Sequence, residues 1–227
     1  MKRAILTLLT LAVTVPLAHA EPDAARGGAF DGAFVSAGFG AQRASAREAN
    51  VQTTVQPGPS FNQPDALGEG GVFQIHGGYG RDIGRVFNLT VAGFAETGGA
   101  GLAPTQATFF GDAVAQDITK RIGVYVAPGV YLDPRTVVFA KIGVAQAEQR
   151  YSRALPGVAL SPRISGQMLG IGVKRMLDDH MFWSVDYTRL DYGRTQIGAA
   201  VALNGNVVDI QSRAITEEVT VGFGYQF

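Results

Sequence analysis

The residues Val219-Thr220-Val221-Gly222-Phe223-Gly224-Tyr225-Gln226-Phe227 alternate strictly between two kinds of side chain. The odd positions are apolar or aromatic, and the even positions are small or polar. Alternation with period two predicts a β-strand that has one apolar face. A run of about nine residues is also long enough for a tilted strand to cross a bilayer.

Aromatic side chains gather at one end of this apolar face. Aromatic girdles at the membrane interface are typical of transmembrane barrels. A terminal Phe with a Tyr two residues before it resembles the C-terminal assembly signal of bacterial outer-membrane proteins. On that resemblance we assign the signal to Val219, Val221, Phe223, Tyr225 and Phe227.

Similar alternating runs recur upstream and are joined in pairs by short polar turns. The turns lie at residues 82–85, 133–135 and 178–180, where Asp, Pro and Gly favour tight reversals. Together with the final run, the pattern predicts an even number of antiparallel strands. The predicted strands are Gly32–Gln42, Val72–Arg81, Val86–Glu96, Ile122–Leu132, Thr136–Glu148, Gln167–Leu177, Met181–Tyr192 and Val219–Phe227.

The connections between these hairpins are long and polar, at Arg43–Gly71, Arg150–Ile164 and Gly193–Arg213. The last one contains Asn204-Gly205-Asn206 between apolar runs, which predicts a strand pair that rises beyond the membrane to a hairpin tip. Within residues 97–121 the strand limits stay open. Short turns at one end and long loops at the other are the layout of an outer-membrane barrel. We therefore predict an all-β, eight-stranded antiparallel transmembrane β-barrel with short periplasmic turns and long extracellular loops.

The first twenty residues have the pattern of an export signal. Two basic residues precede an apolar run, Ala4–Val15, and Ala18-His19-Ala20 follows as a small-x-small cleavage site. The apolar run is shorter than the ~20 residues that a spanning helix needs. We therefore predict a cleavable signal peptide over residues 1–20, a mature barrel domain over 21–227, and the bacterial outer membrane as the destination.

Several segments in the same order carry a family resemblance. They are Val35–Gly40, Gly77–Gly80, Pro128–Tyr131, Val138–Gly143, Leu169–Val173 and Asp186–Thr188, together with the terminal Phe. Over nearly all of residues 30–227 the chain resembles the small opacity-type surface proteins, relatives of the OmpA and OmpX barrels. This resemblance implies outer-membrane lipid and lipopolysaccharide as surroundings. It also implies the barrel-assembly machinery and periplasmic chaperones as partners during biogenesis.

Composition removes several classes of chemistry. The chain carries 19 basic and 19 acidic residues and no Cys, which disfavours a nucleic-acid partner and excludes disulfides and thiolate metal sites. Only His76 and His180 follow the signal peptide, without metal-ligand spacing, so no metal or cofactor is expected. A lipid A-modifying enzyme would need a Ser nucleophile, a His base and a carboxylate. Ser36 and His76 share a predicted face, but no acid is placed as the third member. We therefore expect no enzymatic activity.

Charged residues occupy the small or polar faces of several predicted strands. An eight-stranded barrel has an interior just wide enough to be filled by side chains, and charges enclosed there must pair or reach water. A salt-bridge plug is the favoured interpretation, and an ion or proton path is the alternative. The facing of the Val137–Val144 strand stays open. Phe139 and Lys141 are two residues apart and must lie on the same face of this strand, although one is apolar and the other charged. The candidate lumen charges are Glu96, Lys141, Lys174, Asp186 and Glu218.

These patterns favour a non-enzymatic surface or membrane-stabilising protein whose extracellular loops contact host or environmental ligands, because binding often lies in loops on a rigid scaffold. A narrow, porin-like pore for small solutes is the alternative. A lipid A-modifying enzyme is a further alternative.

Overall fold

The chain forms a single closed sheet. The computed structural model describes residues 29–53, 66–107, 112–153, 159–160, 163–201 and 207–227. The strands are β1 (Gly32–Thr53), β2 (Ala66–Ile83), β3 (Phe87–Ala107), β4 (Asp112–Asp133), β5 (Thr136–Arg153), β6 (Ala159–Leu160), β7 (Arg163–Met176), β8 (Met181–Val201) and β9 (Val207–Gln226). None of these residues forms a helix long and apolar enough to cross a bilayer.

Closure of the sheet follows from its pairing order. Neighbouring long strands pair antiparallel, and β9 returns to pair with β1. The two-residue β6 pairs with β5 alone. The result is a closed eight-stranded antiparallel barrel, which confirms the predicted fold.

The strands continue into segments that the sequence pattern assigns to loops. Residues 43–53 and 66–71 belong to β1 and β2, and most of the predicted connection 193–213 belongs to β8 and β9. Antiparallel pairing satisfies the backbone polar groups there without requiring one apolar face, so alternation is a poor guide to these extensions. The predicted tip at 204–206 lies outside the described residues.

The outward face carries an apolar belt. Phe39, Ile122 and Ile171 are 63%, 60% and 64% exposed, although large apolar side chains of this kind normally lie inside a protein. On β9 the belt runs from Val219 to Phe227, which is about 27 Å along the strand and about 20 Å in height once the usual strand tilt is included. Charged residues replace the apolar ones immediately above it, at the end that holds the long connections.

Aromatic rings fill the inside of the barrel, and three of them pack over a glycine directly opposite on the next strand. The Phe94 ring covers Gly123, and the Phe139 ring occupies the side-chain space of Gly172. The Phe182 ring does the same at Gly224. These three lumen glycines are therefore sites of close packing and not gaps.

A β-bulge at Lys120 changes the alternation of β4. Lys120 has a φ of 47°, and the β5 partner shifts from Glu148 opposite Thr119 to Ala147 opposite Arg121. A bulge inserts one unpaired residue and re-aims the side chains beside it. Ile118 and Arg121 are therefore both buried inside, with two residues between them.

Candidate functional site

Arg121 is the centre of a polar cluster at the upper end of the lumen, the end with the long connections. One guanidinium nitrogen donates to the carboxylates of Glu96 and of Glu218, the latter at 2.7 Å, and to the amide oxygen of Gln42. The other donates to the Thr216 hydroxyl at 2.9 Å. One side chain from β4 thus ties together β1, β3 and β9 across the lumen.

The cluster depends on a guanidinium group. The side chains of Arg121, Glu96 and Glu218 are at most 4% exposed, and isolated charges at that depth are costly. A planar fork with several N–H donors can serve two carboxylates and two neutral acceptors together, whereas a lysine offers a single compact charge. The arrangement is therefore specific for arginine.

A second ion pair lies inside the barrel between β5 and β8. The Lys141 ammonium donates to the Asp186 carboxylate at 2.5 Å, and the Thr188 hydroxyl donates to the same oxygen at 3.2 Å. The ammonium also lies 5.2 Å from the centre of the Tyr125 ring and 5.8 Å from that of Phe139. Phe139 and Lys141 both point inward, which settles the facing that the sequence leaves open.

His76 belongs to this middle layer. Its Nδ1 atom lies 3.3 Å from the Tyr125 hydroxyl, and its ring stacks on Phe94 with centroids 5.8 Å apart. Ser36 stands opposite His76 in the β1–β2 register. The described contacts are those of a packed, hydrogen-bonded lumen histidine. They supply no carboxylate to orient the ring as a catalytic base.

Lys174 lies at the opposite, lower end of the lumen, beside the short turns. Its ammonium donates to the side-chain oxygens of Asn88 at 3.3 Å and of Thr90 at 3.2 Å. It also lies 4.3 Å from the centre of the Phe30 ring. Neutral acceptors and an aromatic face thus surround this charge.

The residues before β1 close the lower mouth of the barrel. Phe30 is fully buried and packs edge-on against Phe182, with centroids 5.9 Å apart. Its backbone N–H donates to the Tyr131 hydroxyl at 3.2 Å, and its carbonyl accepts from Asn88 at 3.3 Å. A segment outside the sheet therefore acts as a plug held by both backbone and ring contacts.

All the sequence-predicted lumen charges point inward, but the structure divides them among three layers. Glu96 and Glu218 meet at the top, Lys141 and Asp186 pair in the middle, and Lys174 lies at the bottom. Sequence reasoning missed Arg121, which holds the upper layer together. Extending the predicted strand Ile122–Leu132 back by one residue places an arginine on its polar face, and this was the available signal.

The residues assigned to the assembly signal lie on the outer face of β9 and at its end. Phe223 and Phe227 are 52% and 69% exposed, while Val219 and Val221 are partly covered. The Tyr225 ring lies between His180 and Phe227, with centroid distances of 5.2 and 5.1 Å. Their role in assembly remains a prediction.

The turn between β7 and β8 is ordered by its own side chains. The Asp178 carboxylate accepts the backbone N–H groups of His180 at 2.8 Å and Met181 at 2.7 Å. These bonds favour the charged form, first through Met181, and hold the pKa of Asp178 below its usual value. Within the described part of the chain, no group of three or more His, Cys, Asp or Glu residues could hold a metal ion.

A closed antiparallel sheet, an apolar outer belt and a polar, filled interior define a transmembrane β-barrel. Such a sheet has no edge, so each backbone polar group in the belt finds a partner on a neighbouring strand. The short turns mark the periplasmic end, and the long connections mark the extracellular end.

Comparison with known proteins identifies the family. The family model described as "Outer membrane protein beta-barrel domain" matches residues 5–227, and the chain belongs to that family, whose place is the bacterial outer membrane. No curated protein matches it.

Several solved structures are similar in fold. Ail, the attachment invasion locus protein of Yersinia pestis, is 13% identical, with 86% of this chain and 99% of that chain covered and a TM-score of 0.43. OprG of Pseudomonas aeruginosa is 13% identical, with 88% and 98% covered and a TM-score of 0.49. The outer membrane protease OmpT of Escherichia coli is 9% identical, with 90% and 99% covered and a TM-score of 0.48. These likenesses concern the fold and assign no activity.

Proposed function

We propose that the protein is a non-enzymatic, non-conducting barrel that stabilises the outer membrane and presents its extracellular connections to host or environmental ligands. The single observation that carries this proposal is that hydrogen bonds and ion pairs join side chains of non-neighbouring strands across the lumen. Side chains cross it from strand to strand at three heights, so the interior serves as a brace for the wall and not as a route for solute.

The upper brace joins β1, β3, β4 and β9 through Arg121. Below it, the Gln74 amide donates to the Thr220 hydroxyl at 2.7 Å and links β2 to β9. The middle brace is the pair of Lys141 and Asp186. Because ionic and hydrogen-bonded contacts between non-neighbouring strands resist shear of a barrel, the wall becomes a rigid support for whatever lies above the membrane.

The aromatic layers support the same conclusion. A solute that passes through the barrel would have to displace the rings of Phe94, Phe139 and Phe182, which occupy the space above lumen glycines. It would also meet Phe30 at the periplasmic mouth. Close packing of this kind leaves little room for a hydrated ion.

Conductance in a planar bilayer tests the closed lumen. The wild-type protein should show no single-channel events. A variant with Phe94→Ala, Phe139→Ala and Tyr125→Ala removes the middle ring layer and should conduct intermittently, with folding checked by migration of unboiled protein on a cold gel. Steady wild-type channels would contradict the proposal and favour the narrow pore.

Binding of ligands by the extracellular connections is tested with variants in which the barrel strands are unchanged. The connections at 54–65, 108–111, 154–158 and 202–206 are replaced one at a time by short Gly-Ser linkers, and the variants are compared in adhesion to host cells and to extracellular-matrix proteins. Loss of adhesion with one connection, while the barrel remains folded, supports the surface role. If lipid A from cells with and without the protein differs in mass, the non-enzymatic assignment fails.

A further inference from the structure

Two buried carboxylates contact one cation in the upper lumen. Glu96 of β3 stands directly opposite Arg121 of β4, and Glu218 of β9 stands directly opposite Gln42 of β1. Both carboxylates accept from the same guanidinium nitrogen of Arg121. With each group in its ordinary ionisation state at neutral pH, these three ionisable side chains together carry one negative charge in excess. We refer to Glu96 and Glu218 as the acid pair.

Solvent does not screen this excess charge. The side chains of Glu96 and Glu218 are 2% and 4% exposed. The next inward pair above Glu96 and Arg121 consists of Ala100 and Ile118, which are buried and apolar. An unbalanced charge at that depth is costly. The cluster is therefore stable only if it gains a positive charge or loses a negative one.

The hydrogen bonds of the cluster also lack a donor. A terminal guanidinium nitrogen carries two hydrogens, but three oxygens accept from it, one each from Gln42, Glu96 and Glu218. The second carboxylate oxygen of Glu96 is buried without a partner among the described residues, and so is the amide nitrogen of Gln42. The neutral amide of this layer therefore does not supply the donor that Glu96 lacks.

Among the described residues, the other ionisable groups near the acid pair do not supply a second cation. Tyr192 of β8 is buried beside Arg121, and a tyrosine is neutral below about pH 10. In the layer below, Lys141 is paired with Asp186, and His76 contacts the Tyr125 hydroxyl. The neighbours of the cluster in the strand register are neutral: Gln74 of β2, Thr188 of β8, Ala147 of β5 and, beyond it, Ile164 of β7.

A single proton satisfies both requirements. The two carboxyl groups lie within hydrogen-bonding reach of each other. Like charges that share a site favour protonation of one partner, and the proton then belongs to the pair and not to either residue. Held between Glu96 and Glu218, it removes the excess charge and adds the missing donor.

We propose that Glu96 and Glu218 share one proton beside Arg121 and form a proton-binding site in the upper lumen. Loss of this proton to water leaves two carboxylates on one guanidinium, so the upper brace is stronger in acidic than in alkaline surroundings. The site adds a pH dependence to the brace of the proposed function. The proton itself is detectable whether or not the barrel conducts or binds a ligand.

Infrared spectroscopy of the full barrel detects the shared proton directly. The barrel is refolded in vesicles of ether-linked phosphatidylcholine, which has no ester carbonyl to overlap with the C=O stretch of a protonated carboxyl group. The wild type should show this band at about pH 7, where exposed glutamates are ionised. Glu96→Gln and Glu218→Gln should each abolish it, because the remaining carboxylate is balanced by Arg121. The matched control, Glu217→Gln, removes an exposed carboxylate from the same strand and should keep the band.

Urea unfolding at a series of pH values tests the effect on stability. Unfolding exposes both glutamates to water, where glutamate is ionised above about pH 5. From about pH 6 to about pH 9 the native state therefore holds a proton that the unfolded state lacks, and stability should fall as the pH rises. Over this range the unfolding equilibrium constant of the wild type should rise about tenfold or more relative to that of Glu96→Gln. Both proteins retain His76 and Tyr192, so the contributions of these groups cancel.

Folding of each variant is checked by the faster migration of unboiled protein on a cold gel. The proposal is overturned if the wild type lacks the band, or if the band survives in either single variant, since it would then belong to an independent acid. Equal pH dependence of the wild type and Glu96→Gln also overturns it. If added Na⁺ or Mg²⁺ stabilises the wild type alone at fixed pH, a bound cation neutralises the acid pair and the proposal fails.

Discussion

Replacement of Arg121 by Met is the most direct perturbation of the lumen. The methionine keeps an unbranched side chain of similar length but removes the guanidinium. Glu96 and Glu218 would then remain inside the barrel without their cation, and Gln42 and Thr216 would lose a donor.

The expected loss in the free energy of unfolding follows from the burial of the three charged side chains. The side chains of Arg121 and Glu96 are each 2% exposed, and that of Glu218 is 4% exposed, so solvent screens their interaction very little. Breaking a buried ion pair by removing one partner costs about 3–5 kcal/mol, because an uncompensated charge stays in place. Two carboxylates are left in this case, so we expect the free energy of unfolding to fall by at least ~3 kcal/mol.

The assay is urea unfolding of protein refolded into phosphatidylcholine vesicles. Trp183 is the single tryptophan of the chain, and it lies on the outer face of β8, so its fluorescence reports transfer between lipid and water. The matched control is Arg189→Met, which breaks an exposed pair with Glu217 whose side chains are 48% and 37% exposed. Surface pairs contribute about 0–1 kcal/mol, so this variant should be close to the wild type.

A second variant tests whether the lost stability comes from the two unpaired carboxylates. The triple variant with Arg121→Met, Glu96→Gln and Glu218→Gln carries no charge in the cluster and should recover most of the lost stability. If Arg121→Met costs less than ~1 kcal/mol, or if the triple variant is no more stable than the single one, the cluster is not the brace described above.

Further predictions concern the outer face, assembly and export. Val221→Arg near the middle of the belt should lower stability in vesicles by about 2–4 kcal/mol, and Phe227→Arg at the interface by about 0–1 kcal/mol; equal costs would mean that the depth assignment is wrong. Deletion of Phe227 should leave the refolded barrel stable but reduce its accumulation in cellular outer membranes, and normal accumulation would exclude an assembly role. Edman sequencing of protein from the outer-membrane fraction should begin at Glu21, and a sequence that starts at Met1 would refute cleavage. Unboiled protein should migrate faster than boiled protein on a cold gel because the closed sheet stays compact, and identical mobility would count against closure.

The sequence alone determined the fold class and the facing of most lumen residues. Period two is a local property: the identity of residues 219 to 227 is enough to assign an apolar and a polar face, without knowledge of any partner strand. Glu96, Lys174, Asp186 and Glu218 all lie on the predicted polar face, since strand geometry sends alternate side chains to opposite sides.

Only the tertiary structure decided which of these residues meet. Glu96 and Glu218 lie on strands that are not neighbours, and closure of the barrel brings Arg121 on β4 within hydrogen-bonding reach of both. Alternation fixes the face of each residue but not its height, because height depends on strand register and on closure of the barrel.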